Sequence, residues 1–221
     1  MNNRNTYILT AVCGFLGTVL LIGSFRLNPS PPASDTFAQF RDFAMQHRTG
    51  IVIASWFQGI GSLLTVIFAI ALIDIAGASQ RIVGKIAFLS GTTILMISLV
   101  EIIFYLASLQ AAETGDQASM LVSNNLISAT QHAFLIAPAL LLPLGLVLLD
   151  SNLLGRGFAL TALLIGATLQ VFGLLGIIMS LQPVIDILLI VQGVWFVAAS
   201  VALLARNSRF SPKNAYSGRV S

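Results

Sequence analysis

Charge is scarce in this chain: 9% of its 221 residues are Asp, Glu, Lys or Arg, 57% are hydrophobic, and the mean hydropathy is +0.92. No water-soluble globule of this size tolerates that balance, so the sequence reads as a polytopic membrane protein. Cysteine is nearly absent as well. The single one, Cys13, falls inside an apolar run, which excludes a disulfide framework and a cysteine metal motif and leaves it as a small packing residue. HExxH, P-loop and GxSxG patterns are missing, as are paired aspartates at helical spacing. Basic residues are scattered among loops with no interleaved aromatics, so the net charge of +3 argues for no nucleic-acid partner.

What the chain does have is length of apolar run. A spanning helix needs about 20 mostly apolar residues, and six segments meet that demand: 7–25, 51–76, 86–109, 126–149, 158–181 and 184–205. Barrel strands would show instead roughly ten-residue stretches of alternating polarity. The expected fold is therefore all-α: a six-transmembrane-helix bundle forming one domain over 1–206, followed by a disordered basic cytoplasmic tail over 207–221. With the N-terminus in the cytoplasm, Arg4, Arg81, Lys85, Arg156, Arg206, Arg209, Lys213 and Arg219 lie inside, against Arg26, Arg41 and Arg48 outside. That asymmetry puts both termini in the cytoplasm and the chain in a cell membrane as a multi-pass protein. The first run is long and no small-x-small site follows it closely, so it reads as an uncleaved anchor.

Between the first two spans, Pro29, Pro31 and Pro32 predict an extended linker. Beyond it, Thr36 and Gln39 fit a capping box, and Phe37, Phe40, Phe43, Ala44 and His47 recur at helical spacing before a Thr49-Gly50 stop. This predicts a short external amphipathic helix over 35–48, acting as an interfacial anchor or as a lid that aims His47 at the helix mouths. In the fourth span, Pro138 and Pro143 each remove a backbone donor, which predicts a kink just below His132. Asp74 and Asp150 close their helices where the dipole disfavours an anion, so each is expected to pair with Arg81, Lys85 or Arg156.

Depth then singles out a site. At 1.5 Å per residue, Gln58, Glu101, His132 and Gln192 all fall about 10–12 Å below the outer ends of their spans. Trp56, Tyr105 and Gln131 lie slightly above that level, and Gln170 below it. Glu101 is the one acid that no choice of span boundary moves into water, and an acid at that depth should face the protein interior and have a partner. Tyr105 follows it at i+4, on the same helix face.

The segments Ala54-Ser55-Trp56-Phe57-Gln58, Ala71 to Gly77, Glu101-Ile102-Ile103-Phe104-Tyr105 and Gln131-His132 resemble a group of uncharacterised bacterial six-helix integral membrane proteins. The resemblance covers the second to fifth spans. It implies a bacterial cytoplasmic membrane and supplies no catalytic residues.

Three function classes fit these residues. The first is binding or transport of a small polar or cationic molecule in an outward-facing pocket. Glu101 would be its protonatable anchor, His132 its partner, Gln58, Gln192 and Gln131 hydrogen-bonders, Trp56 and Tyr105 the aromatic wall, and His47 the lid group. Six helices are few for alternating access, so either a homodimer forms or the protein only binds and senses. The second is an intramembrane enzyme in which His132 and Glu101 act as an acid–base pair or, with His47, hold a metal, or in which His47 and His132 hold a haem. The third is a non-catalytic partner subunit whose polar groups only glue helices together. The bilayer is a partner in all three.

Overall fold

The structure is a computed structural model that describes residues 3–28, 36–136, 140–176 and 182–209, with the side chains of residues 3, 131–136, 176, 182, 183, 185 and 207–209 outside that description. Among the described residues every regular element is a helix: α1 (Asn3–Leu27), α2 (Phe37–Gln46), α3 (Arg48–Ile75), α4 (Ile82–Thr114), α5 (Gln117–Ile136), α6 (Leu141–Ser151), α7 (Arg156–Gly176) and α8 (Gln182–Arg209). Five of them, α1, α3, α4, α7 and α8, are long and apolar enough to cross a membrane. Their outward sides are apolar too: Phe15, Leu89, Met96, Ile103, Leu164, Ile187 and Val194 are all exposed, an arrangement suited to hydrocarbon and costly in water.

The expected fourth span is described in two pieces: α5, which starts at Gln117, and the eleven-residue α6. Residues 137–139 between them lie outside the described residues, so five single-helix spans are established and a sixth is not. Ser119, Ser123, Asn124, Asn125 and Ser128 lower the hydropathy of α5, and α6 is only about 16 Å long, half of a ~30 Å hydrocarbon core. Pro143 sits in the first described turn of α6, and the expected kink below His132 falls at 137–139, outside the described residues. Pro138 and the proline linker at 29–32 lie outside the described residues, as does the tail from 210 onward; α8 itself runs on to Arg209.

The long helices close into a ring. α3 packs between α1 and α4, α4 against α5 and α6, α7 against α5, α6 and α8, and α8 back onto α1. Close backbone approach sets the α1–α3 contact: a methyl built on Gly61 would stand 2.9 Å from both the Gly17 carbonyl oxygen and the Leu21 amide nitrogen. Gly50 has a similar use. It is not a stop, since α3 begins at Arg48; its missing side chain lets the Leu27 carbonyl of α1 come close, 2.8 Å from where a methyl would be.

The two ends of the bundle differ. At one, Arg81 pairs with Asp150 at 2.5 Å and Arg206 donates to the Asn152 and Leu153 carbonyls after α6. Asp74 accepts from the Ser79 hydroxyl, not from a cation, at 2.9 Å. Behind this end lies the main apolar core, with Phe68, Leu72, Leu144, Leu148 and Leu203 wholly buried. At the opposite end α2 lies over the mouths of α3 and α4. Phe37, Phe40 and Ala44 pack on Ile51, Leu109, Ala112 and Met120, Arg41 donates to the Ala112 carbonyl (3.1 Å), and Arg48 pairs with Glu113 (2.5 Å). The Thr36 hydroxyl donates to the Gln39 side-chain oxygen at 2.9 Å, and Thr36 holds the extended backbone of an N-cap.

Candidate functional site

α3 and α4 each carry a stripe at alternating spacings of four and three. On α3 it is Ile51, Ser55, Gln58, Ser62, Thr65, Ala69 and Leu72, all buried. On α4 it is Ala87, Gly91, Ile94, Ser98, Glu101, Tyr105, Ser108 and Ala112, each buried or half-buried. A repeat of 3.5 residues keeps one seam facing a partner helix along the whole length. Because the helices are antiparallel, polar halves of the two stripes meet on the α2 side and apolar halves meet on the Arg81 side.

At the centre of the polar half, the Gln58 amide nitrogen donates to the Glu101 carboxyl at 2.6 Å and reaches the Ser98 hydroxyl at 3.4 Å. The Ser98 and Ser62 hydroxyls are bonded at 2.8 Å. Gln58 and Ser62 are one turn apart on α3, as Ser98 and Glu101 are on α4, so two helix faces match rung for rung. Not every hydroxyl crosses: Ser55 and Thr65 donate to their own helix, at Ile51 and Gly61. One turn beyond Tyr105, Ser108 donates to Asn124 of α5 at 2.8 Å and extends the polar contact to a third helix.

Glu101 lies thirteen residues before Thr114 and nineteen after Ile82, about 20 Å and about 28 Å from the two ends of α4. The other described charged residues of the long helices sit near helix ends. A carboxyl so placed is a poor scaffold choice, because hydrocarbon offers no solvation for its charged form. What the cluster can do chemically is hold or release one proton at Glu101 while Gln58 continues to donate to it, and pair the resulting charge with a cation.

Of the residues singled out from sequence, Gln58 and Glu101 are brought into direct contact. Tyr105 follows Glu101 on the same stripe, half-buried and packed against the apolar cluster under α2. Trp56 is turned away: it is 67% exposed and forms no wall of this cluster. His47 is at the α2–α3 junction with its ring 4.6 Å from that of Phe43, and eleven residues of α3, about 16 Å, separate it from the Gln58 level. A lid that lowers His47 onto Glu101 is therefore not the arrangement found. Gln131 and His132 belong to α5, but their side chains lie outside the described residues.

Gln192 is placed by α1 acting as a ruler. A methyl on its neighbour Gly193 would lie 3.5 Å from Thr18, and Gly61 faces Gly17 and Leu21 of the same helix. Gln192 thus stands at the height of the Gln58–Ser62 turn, half-buried on α8, which packs on α1 and α7. The contact found at Glu101 comes from Gln58 of α3.

The residues overlooked in the sequence are Ser62, Ser98, Ser108 and Asn124. The 3-4 spacing of Ser98, Glu101, Tyr105 and Ser108 is the signal that could have found the α4 members. Among the described residues no group of three His, Cys, Asp or Glu side chains is gathered as a metal site, and the two-histidine set with Glu101 includes His132, outside the description. No protein-family model, curated protein or solved structure matches this chain.

Proposed function

We propose that this chain is a multi-pass cell-membrane protein with both termini in the cytoplasm, which binds or transports a small polar or cationic molecule at Glu101, reached from the α2 side. The 2.6 Å Gln58–Glu101 contact, part-buried between α3 and α4 far from either end of α4, carries the reading. A membrane-embedded carboxyl is retained against its cost where a charge or a proton must be handled. Gln58, Ser98 and Ser62 orient it, and Tyr105 stands one turn from it on the α2 side.

The test uses the purified full chain with choline and ethidium as probe cations, read by thermal shift. Glu101→Gln keeps the shape and most of the hydrogen-bonding capacity of the side chain and loses its charge. The wild type is stabilised by at least one of the two cations and the folded Glu101→Gln variant by neither. A folded variant that keeps the wild-type response overturns the reading.

A second reading is favoured by one observation: among the described residues no buried side-chain nitrogen or oxygen lacks a hydrogen bond. A self-satisfied ladder suits a non-catalytic partner subunit, in which the stripe serves as interhelical glue. In that case neither cation stabilises the wild type, and Glu101→Gln lowers its melting temperature without any change in ligand response.

A further inference from the structure

A second feature lies outside the polar stripes, at the seam between α1 and α8. There Ala11, Val12, Phe15 and Leu16 of α1 face Ser200, Val201 and Leu204 of α8 across a cleft of about 210 Å³. Its origin is a pair of small side chains. Ala11 and Ser200 are fully buried and form the floor, while Phe15, Leu16 and Val201, each 44–54% exposed, stand as walls toward the membrane. Ser200 is the only hydroxyl in the lining, and it donates to the Phe196 carbonyl at 2.8 Å, which leaves the cleft nothing polar to offer. A solute with hydrogen-bonding groups gains nothing here; a hydrocarbon chain does.

The mouth of the cleft is basic. Arg4, which is exposed, precedes Ala11 by two helical turns and Phe15 by three, so it lies on the same face of α1 as the cleft, about 10 Å toward the end of the helix. Arg206 points elsewhere, to the carbonyls after α6. Positive charge one headgroup's reach above an apolar slot is the complement of an anionic phospholipid.

We propose that the α1–α8 cleft is a binding site for one anionic phospholipid, its acyl chain along Ala11 and Ser200 and its phosphate at Arg4. The site is independent of Glu101 and of the function proposed there.

The full chain in mild detergent, titrated with phosphatidylglycerol or phosphatidylcholine of the same acyl composition and read by native mass spectrometry, tests this. The wild type retains one phosphatidylglycerol in preference to phosphatidylcholine. Arg4→Gln weakens phosphatidylglycerol about fivefold, the factor that ~1 kcal/mol per basic residue at an anionic surface amounts to, and leaves phosphatidylcholine unchanged. Val201→Trp and Phe15→Trp fill the cleft from exposed walls, where folding is least at risk, and displace both lipids. Equal retention of the two lipids by the wild type, a preference that survives Arg4→Gln, or retention unaffected by both tryptophans overturns the proposal. So does a dimer that the tryptophans dissociate, because a second copy would then be the occupant.

Discussion

On the Arg81 side of the bundle, α3 and α4 bury Ala69, Leu72, Ala87 and Gly91 in their facing stripes; on the α2 side the same stripes bury Ser55, Gln58, Ser62, Ser98 and Ser108 around Glu101. The helices, their spacing and their partners are continuous across the two halves. Only the chemistry changes. In hydrocarbon an apolar side chain is as well solvated by lipid as by protein, so the Arg81 half is held by fit: small residues and fully buried leucines that fill space. The α2 half follows no such logic, since apolar residues of the same size would pack there at no desolvation cost. Hydroxyls, an amide and a carboxyl persist in that half against this cost, and each is paired across helices or to its own backbone.

That contrast can be broken first in the apolar half. Leu144→Ala, at a fully buried position, leaves a cavity and is expected to lower stability by ~2–5 kcal/mol, a large drop in melting temperature by circular dichroism with no effect on the cation response. A loss of less than ~1 kcal/mol would mean that lipid or relaxation fills the gap and that this half is not held by fit. In the polar half the individual bonds are weaker. Ser98→Ala and Ser62→Ala, combined in a double-mutant cycle, should show a coupling of about 0.6 kcal/mol, the usual size for hydrogen bonds between membrane helices. A coupling near zero would show that the two hydroxyls do not act as a rung.

The charged ends sharpen the comparison with smaller effects. Arg81 and Asp150 are about half exposed, 52% and 47%, so Arg81→Gln should cost under ~1 kcal/mol, and less in high salt. At the opposite end Asp116 caps α5. The Ser119 hydroxyl, at 2.6 Å, and the Ser119 amide, at 3.1 Å, hold the Asp116 carboxyl below the ordinary carboxylate range. Since the folded form binds its proton less readily, the cap acts fully above the unfolded carboxylate pKa and is lost as pH falls through the lowered folded one. The protection factors of the first-turn amides of α5, with exchange rates corrected for their intrinsic pH dependence, should fall on acidification through that range. Asp116→Ala should remove the dependence.

The sequence made the helices legible because hydropathy over twenty residues reports whether a segment can live in lipid. It reports rotation poorly. α3 and α4 are apolar on the lipid side as well as the core side, so no polar face marks which way Trp56 or Glu101 turns. Trp56 proved to be exposed, while Gln58, two positions on, faces α4. Depth put Gln58 and Glu101 at one level, since antiparallel helices of known ends bring equal depths together, but it gave His132 and Gln192 the same level and so did not single out Gln58 as the partner. The fourth span was harder: Pro138 and Pro143 signalled an interruption, but a kink and a division into separate helices carry the same proline signature. Thr49-Gly50 misled for a related reason, because glycine marks close backbone approach as readily as it marks a helix end.

Labelling of Glu101 by an apolar carbodiimide in intact vesicles, mapped by mass spectrometry, would decide whether the polar half is a working site or internal glue. The account predicts an adduct at Glu101 that choline or ethidium suppresses, with the exposed Asp150 insensitive to both cations. A Glu101 that never reacts, or that reacts to the same extent whatever cation is present, would contradict it.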